Sequence, residues 1–384
     1  MHDIFPTNKS IVLKKLKKFC EEELINYTSN RNYDFGTPHK NVSTLSPYIN
    51  RRFISESDVL RQATKNYDVN MIEKFIQEIF WGTYWRGWLE LHPWVYNDYQ
   101  KENNNNEIPN KTGIKCFDHW TEELIETGYL HNHSRMWFAS IWIFTLKKSW
   151  KSGANFFKNN LIDWCPASNT LSWRWVAGLQ TAGKNYTARA DNIKKFTDTR
   201  FYPINQLEEN PLPIKFYDVR PEKIKILPYE NINLSKLNNL GLVVNNNDLS
   251  LDSLTKKLNL SAEVCIYKKR NNDKFKNNLI NNFEDRLFDN LINENKNFHI
   301  AESYNDLIIW AKKMKIKNLV FPYELVGKNL LNNRYFLEKL TEETINYLFY
   351  LRDWDRYSFP YTNKGFFPFK EKISELLKLN KIIK

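Results

Sequence analysis

The sequence predicts two domains of different class, an all-α domain followed by a smaller α/β domain built on a parallel sheet. Three observations support this prediction. Residues 1–200 repeat apolar side chains at helical spacing and contain eleven of the thirteen tryptophans. Five prolines interrupt residues 201–235, which is typical of an extended linker. In residues 236–384, short apolar runs alternate with helical patterns, as they do in parallel α/β sheets.

Helical periodicity divides the first domain into several elements. The densest pattern runs from Met71 to Leu91, where apolar side chains return every three or four residues. The other stretches are shorter and are separated by polar or proline-containing segments. The predicted helices of this domain cover residues 11–20, 71–91, 118–130, 133–149, 151–162 and 169–178.

The second domain shows strand and helix patterns in alternation. Four apolar runs predict strands at residues 240–244, 264–267, 298–300 and 319–321. Helical patterns lie between them at 274–294 and 303–315, and a basic terminal helix is predicted at 372–384. The asparagine runs at 103–106 and 245–247 predict loops.

The composition narrows the function classes. At 42% hydrophobic residues the chain is neither disordered nor fibrous, and no glycine-rich phosphate-binding motif is present. Lysine and arginine outnumber aspartate and glutamate by 56 to 44, a formal net charge of +12. This balance favours a nucleic-acid partner, with a solvated lysine-rich surface as the alternative.

The cysteines and the hydropathy pattern set further expectations. The four cysteines form no CxxC pair, so we expect neither a zinc site nor a disulfide framework, and a reducing, cytoplasmic location fits. No apolar run reaches the roughly 18 residues of a membrane span. We therefore expect a monomer without a metal or a membrane anchor. The four cysteines are Cys20, Cys116, Cys165 and Cys265.

One face of the helix at 71–91 predicts a functional site. Glu78, Trp81 and Trp85 stand at i, i+3 and i+7, so they share a face. A carboxylate beside two indoles is unusual for plain packing, although a satisfied core glutamate is the alternative.

Two further segments place polar side chains in apolar surroundings. Asn132, Arg135 and Met136 share a helical face, and Asn169 follows Asp163 with Trp173 one turn later. Buried polar groups must be paired or bind a polar ligand. The cluster is therefore either self-satisfied or built for a large heteroaromatic cofactor such as a flavin.

These segments carry a resemblance to a known family. Residues 127–136, 161–163 and 169–175, together with Val42–Tyr48, resemble the FAD-binding half of the photolyase/cryptochrome family. The likeness covers residues from about 20 to 200. In more detail, the chain is similar to small bacterial photolyase-like proteins that lack an amino-terminal antenna domain.

The resemblance implies a set of FAD-binding residues. Four would hold the phosphates and the ribityl chain, namely Tyr27, Ser43, Leu45 and Ser46. Four would surround the isoalloxazine ring, namely Asn132, Arg135, Asp163 and Asn169. Asp163 and Arg135 would form a buried ion pair, and Asn169 would face flavin nitrogen five. Asparagine at that position favours the repair branch of the family.

The resemblance also implies a DNA lesion site and an electron-transfer chain. Contacts to a flipped pyrimidine dimer would come from Glu78, Trp81, Asn132, Met136 and Trp175. Asn132 after His131 favours cyclobutane dimers over 6-4 products. The catalytic residues would be Glu78, Asn169, Trp173 and Trp150, the last two as electron carriers. No tryptophan lies between Tyr99 and Thr112 to act as the third carrier, which leaves Trp120, Trp137, Trp142 or Tyr99.

The chain also departs from the family pattern. Gly82 stands where many relatives have arginine, and Cys165 stands where they have a second acidic residue near the flavin. The α/β domain follows the flavin domain instead of preceding it, and its antenna chromophore is unknown. The expected function is a photolyase-type lyase that repairs cyclobutane dimers in damaged DNA with photoexcited reduced FAD. The alternatives are a cryptochrome-like blue-light photoreceptor and a basic nucleic-acid-binding module without a cofactor.

Overall fold

A computed structural model of the chain describes residues 4–101, 109, 111–181, 183–214, 232–269, 275–328 and 334–384. Within these ranges, an all-α half is followed by a five-stranded parallel sheet with helices. The predicted fold class is therefore confirmed. The predicted loop at 103–106 and much of the predicted linker, 215–231, lie outside the described residues.

The first half is built from eleven helices within the described ranges. A π-helical turn, Ile141–Thr145, extends α8. In chain order the helices are α1 (Lys9–Glu22), α2 (Tyr27–Asn30), α3 (Ser46–Ile49), α4 (Glu56–Ala63), α5 (Glu73–Leu91), α6 (Pro93–Lys101), α7 (Lys115–Thr127), α8 (Asn132–Ser140), α9 (Trp150–Asn160), α10 (Pro166–Val176) and α11 (Ala190–Phe196).

Local sequence signals set several helix ends. The side chain of Asn8 accepts hydrogen bonds from the first amides of α1, and Ser55 with Asp58 forms a capping box on α4. Gly128 ends α7 with a positive φ of 70°, a conformation that suits glycine. Pro166 stands in the first turn of α10, where its missing N–H costs nothing.

The second half contains one sheet whose strands are all parallel. The strand order is β3-β2-β1-β4-β5, so β1 lies at the centre and β3 and β5 form the edges. In the register, Val244 pairs with Ile266 and Leu242 pairs with Val320. The strands are β1 (Leu240–Val244), β2 (Ala262–Tyr267), β3 (His299–Ala301), β4 (Asn318–Pro322) and β5 (Asn346–Tyr350).

Helices cover the sheet and extend beyond it. The sequence did not predict β5 or the helices at 353–358 and 366–370, whereas the terminal helix predicted at 372–384 is present as Ile373–Leu379. The helices of this half are α12 (Ser253–Leu258), α13 (Asn278–Glu294), α14 (Tyr304–Lys313), α15 (Arg334–Glu342), α16 (Asp353–Ser358), α17 (Phe366–Lys370) and α18 (Ile373–Leu379).

The C-terminal helices pack back onto the first half of the chain. The ring of Trp354 lies 4.7 Å from that of Phe80 on α5, and both residues belong to one apolar core that also includes side chains of β1 and β2. The two halves are therefore joined by continuous packing. The domain boundaries remain predictions from the sequence. Among the described residues, no helix has the length and apolarity needed to cross a bilayer.

Candidate functional site

The predicted face of α5 is open to solvent. Glu78, Trp81, Trp85 and Trp88 are all partly exposed, whereas neighbouring residues such as Phe80 are buried. Side chains at this spacing lie on one face of a helix. This face therefore presents one carboxyl group and three indoles at the surface of a helix whose other side is buried.

Glu78 has a cationic partner that the sequence analysis did not identify. The guanidinium of Arg31, just beyond α2, donates a hydrogen bond to Glu78 Oε1 in a partly buried ion pair. Burial raises the pKa of Glu78, and the charge of Arg31 opposes this effect. Since residue 82 is glycine, Arg31 supplies a positive charge to this face from a different element.

The indole of Trp81 packs against a residue of the C-terminal helices. Its ring stacks on Phe366 of α17 with 3.6 Å between centroids and an interplanar angle of 9°. Tyr84 and Trp85 contact it at 5.6 and 5.3 Å. Aromatic packing of this kind fixes the orientation of the indole.

Asp163 is the centre of a second polar cluster. Its Oδ2 accepts hydrogen bonds from Ser46 Oγ at 2.5 Å and from Arg135 Nη2 at 2.9 Å. Arg135 also donates through Nε to the carbonyl of Leu130 at 2.9 Å. Although burial alone would lower the pKa of Arg135, the charge of Asp163 raises it above its ordinary value. The predicted ion pair is therefore formed, with Ser46 as a third member.

One oxygen of this cluster lacks a partner. Asp163 Oδ1 is buried, the side chain being only 3% exposed, and it accepts no hydrogen bond from the described residues. An unpartnered carboxylate oxygen in a protein interior costs free energy. Such an atom indicates a ligand that donates a hydrogen bond here.

Asn169 is oriented by the neighbouring helix. Its Nδ2 donates to the carbonyl of Ala154 on α9 at 2.9 Å. The amide then presents Oδ1, a hydrogen-bond acceptor, to its other side. One turn later, Trp173 is buried, and its Nε1 has no acceptor among the described residues.

The other predicted residues lie on the surrounding elements. Asn132 begins α8 and is exposed, while Met136 and Trp175 are partly exposed and Trp175 stacks on Tyr186 at 5.3 Å. Helix α10, which carries Trp175, packs against α8, which carries Asn132 and Met136, and against α5 and α9. From the phosphate segment, Tyr27 and Ser43 are partly exposed, and Leu45 is buried.

The predicted electron carriers lie in two aromatic groups. Trp173 contacts Phe157 at 5.1 Å and Trp142 at 6.3 Å. Trp150 contacts Tyr99 at 5.9 Å. Among the residues considered for the third position, Trp142 therefore neighbours Trp173, and Tyr99 neighbours Trp150.

The segment that precedes Ser43 is anchored by a buried histidine. His39 Nε2 lies 2.6 Å from Glu123 Oε1 on α7, and Asp34 accepts hydrogen bonds from Ser134 and Trp120. Burial lowers the pKa of the nearby His131 to about 3. This neutral imidazole accepts a hydrogen bond from the N–H of His133 at the start of α8. The sequence analysis did not identify this cluster.

A second cation that the sequence analysis did not identify, Lys328, lies near Cys165. Cys165 and Lys328 line a cavity of about 10 Å³ together with Glu90 and Arg86. Lys328 donates from Nζ to the carbonyl of Asn50 at 2.8 Å, and burial lowers its pKa to about 8. A lysine from the loop after β4 thus stands close to the position of the missing acidic residue.

Comparison with known proteins identifies this arrangement. Residues 75–208 match the family described as the FAD binding domain of DNA photolyase. The helical half of the chain is therefore similar to proteins of the photolyase/cryptochrome family.

The similar proteins include several curated photolyases. The deoxyribodipyrimidine photo-lyase of Neurospora crassa is 28% identical over 195 residues, 46% of this chain and 32% of the relative. The enzyme of Alkalihalophilus pseudofirmus is 27% identical over 191 residues, covering 45% and 38%, and that of Buchnera aphidicola subsp. Baizongia pistaciae is 30% identical over 203 residues, covering 48% and 41%. The photolyase-like chain therefore spans about a third to two-fifths of the length of these relatives.

Two solved structures are also similar. A bacterial class III photolyase from Agrobacterium tumefaciens aligns with a TM-score of 0.38 and 25% identity, over 50% of this chain and 43% of that one. A cryptochrome from Synechocystis sp. PCC6803 aligns with a TM-score of 0.42 and 20% identity, over 50% and 44%.

The residues of this photolyase-type domain fit FAD. The unpartnered Asp163 Oδ1 offers an acceptor to a ring N–H, and the oriented Asn169 offers another. The hydroxyl of Ser43 is partly exposed and could donate a hydrogen bond to a phosphate oxygen, whereas that of Ser46 already donates to Asp163. The described residues contain no group of three or more histidine, cysteine or acidic side chains arranged to hold a metal ion.

Proposed function

We propose that the chain is a light-dependent flavoprotein that repairs cyclobutane pyrimidine dimers in DNA. The observation that supports this proposal is the packing of α10, which carries Asn169, against α5, which carries Glu78 and Trp81. Asp163, Arg135 and Asn169 offer polar atoms suited to a flavin ring, and Glu78 and Trp81 on α5 offer a lesion-binding face. When bound, reduced FAD would supply the photoexcited electron donor.

The cofactor would be oriented by the chain's own hydrogen bonds. Arg135 holds Asp163 through Oδ2, which leaves Oδ1 directed to the ligand. Asn169, tied to Ala154, would accept a hydrogen bond from a ring N–H at flavin nitrogen five. Tyr27, Ser43, Leu45 and Ser46 would hold the phosphates and the ribityl chain.

The lesion would be bound by the partly exposed aromatic and polar face. A dimer extruded from the duplex exposes flat base surfaces, which Trp81 and Trp175 can cover by stacking. Glu78 accepts a hydrogen bond from Arg31 through Oε1 and can accept another from a base edge through its second carboxyl oxygen. Asn132 and Met136 on α8 would complete the contacts. Trp173 and Trp150 would carry electrons to the flavin.

The basic charge supports DNA as the partner. A net charge of +12 favours binding of a phosphate backbone without sequence readout. Affinity for DNA should therefore fall as salt concentration rises.

The test is repair of a defined lesion. Chemically reduced protein loaded with FAD is mixed with an oligonucleotide that contains one thymine cyclobutane dimer and is illuminated with blue light. We expect loss of the dimer with light and none in the dark, with Glu78→Gln and Trp81→Ala variants slower. A protein that retains FAD but leaves the dimer intact in both conditions would contradict repair.

A cryptochrome-like photoreceptor is the second candidate. Gly82 and Cys165 depart from the repair enzymes at two positions of the site, and such changes are compatible with a site released from catalysis. The two functions differ in DNA selectivity, because only a repair enzyme must prefer dimer-containing over intact DNA. Equal affinity for both, with light-driven flavin reduction retained, would favour the photoreceptor.

A further inference from the structure

We propose that Phe367 is a wedge that inserts into the base stack of a DNA duplex beside the extruded lesion. This inference rests on the proposed function, since it names a further contact to the same substrate. Phe367 lies on α17, a short helix outside residues 75–208, the segment that matches the family model.

The exposure of Phe367 is the first observation. Its side chain is 79% exposed, although both aromatic neighbours, Phe366 and Phe369, are buried. A single exposed apolar residue is ordinary on a protein surface. The position of this one next to the lesion-binding face distinguishes it.

The second observation is that α17 adjoins the lesion site. Phe366 stacks on Trp81 at 3.6 Å, so Phe367 directly follows a residue that contacts the lesion-binding face. Extrusion of a pyrimidine dimer removes two adjacent bases of one strand and leaves a gap in the duplex, and apolar side chains are inserted between bases by other DNA-bending proteins.

The third observation is rigidity. Phe369 packs against Phe80 at 6.0 Å and Tyr84 at 5.7 Å, and the hydroxyl of Tyr84 donates to the carbonyl of Lys364 at 2.8 Å. The segment is therefore anchored on both sides of Phe367. An anchored aromatic side chain loses little conformational freedom when it enters a base stack.

The charge of the segment favours DNA over an apolar protein partner. Lys364 is exposed, and Lys370 lies at the other end of α17, where it pairs with Glu73 at 2.9 Å. The exposed cation of Lys364 near an exposed aromatic ring suits a phosphate backbone that flanks an inserted side chain.

The experiment compares binding to three probes. Fluorescence anisotropy gives the Kd of the FAD-loaded full chain for a dimer-containing duplex, a dimer-containing single strand and an intact duplex. We expect Phe367→Ala to raise the Kd for the damaged duplex about tenfold, to change the single-strand Kd less than about twofold, and Phe367→Trp to restore duplex binding. A 2-aminopurine base opposite the dimer should fluoresce less with Phe367→Ala, because the strand stays stacked.

A matched control comes from the α/β half. Tyr335 on α15 is 70% exposed, and this helix packs in the apolar cluster that contains Phe321, away from Trp81. Tyr335→Ala should leave all three affinities unchanged. Equal loss of both damaged probes in Phe367→Ala, or no loss of either, would overturn the wedge while repair stands. Equal affinity of the wild type for damaged and intact duplexes would overturn the repair function and the wedge together.

Discussion

Helix α5 carries two sets of three residues with the same spacing, of which one is partly exposed and the other is buried. Glu78, Trp81 and Trp85 stand at i, i+3 and i+7 and remain partly exposed. Thr83, Arg86 and Glu90 repeat this spacing and are buried. The two faces lie on different sides of the helix because five residues separate their starting points.

The difference between the two faces is the presence of partners. Trp354 donates to Thr83 Oγ1 at 2.8 Å, Val326 N–H donates to Glu90 at 2.6 Å, and Glu56 pairs with Arg86. Two of these three partners come from beyond residue 320. The buried face is thus a junction that fixes the helix, and the exposed face is available for a ligand.

The largest effect is expected from breaking the junction. Asp355 is fully buried and pairs with both Arg52 and Arg86. Asp355→Ala leaves two buried cations without this partner, so we expect the free energy of unfolding to fall by about 3–5 kcal/mol. Urea unfolding followed by tryptophan fluorescence measures it. Glu73→Ala, which removes a surface pair with Lys370, is the control and should cost less than about 1 kcal/mol. Equal losses of unfolding free energy in the two variants would show that the buried pairs of Asp355 stabilise the fold no more than a surface pair.

The next effect concerns the open face. Trp81→Ala removes a stacking surface, so binding of a dimer-containing strand should weaken by about 1–3 kcal/mol, or about fivefold to 150-fold. Trp88→Ala, on the same face but stacked on His92 at 3.8 Å, is the matched control and should retain affinity. Anisotropy titrations of both variants decide this prediction. A larger loss of affinity in Trp88→Ala than in Trp81→Ala would show that the lesion binds nearer to Trp88 on α5.

The junction should also depend on pH. Burial raises the pKa of Glu90 from 4.5 to about 7. Because the folded state favours the protonated acid, the stability it contributes is full below pH 4.5 and is lost as pH rises through 7. At pH 8, Glu90→Gln should therefore have a free energy of unfolding on the order of 2 kcal/mol higher than that of the wild type, measured by urea unfolding. At pH 4.5 the two proteins should have similar free energies of unfolding. The same stability difference between Glu90→Gln and the wild type at pH 4.5 and pH 8 would contradict a raised pKa for Glu90.

The smallest effect is expected at Arg31. Without its charge the carboxylate of Glu78 loses a stabilising neighbour, so the pKa of Glu78 rises further. Arg31→Gln should shift the pH dependence of dimer binding to higher pH and change affinity at neutral pH by about threefold. In the Glu78→Gln background the same substitution should produce no pH shift. A shift that persists there would come from another group.

Sequence patterns were sufficient for the local parts of this molecule. The spacing of Glu78, Trp81 and Trp85 defines the face of α5, because helical geometry fixes which residues share a side. The run from Leu240 to Val244 marked a buried strand, because five consecutive apolar residues suit the centre of a parallel sheet.

Contacts between distant segments could not be predicted in this way. Phe366 meets Trp81, and Asp355 meets Arg52, across roughly 300 residues of chain. No periodicity connects them, since packing of whole elements decides such pairs. The edge strand β5, Asn346–Tyr350, was missed because it is only half-buried and has a weak alternating pattern. Arg31 was missed because it stands outside the helix that carries Glu78.

The most direct test of the central claim, that residues around α10 hold one FAD, is a titration of the purified full-length chain with FAD. Flavin absorbance of the protein fraction and equilibrium dialysis give the stoichiometry and the Kd. The account predicts one FAD per chain. It also predicts at least tenfold weaker FAD binding for Asp163→Asn, because this substitution removes the carboxylate that accepts hydrogen bonds from Arg135 and Ser46. A folded wild-type chain that retains no FAD, or an Asp163→Asn variant that binds it equally well, would contradict the account.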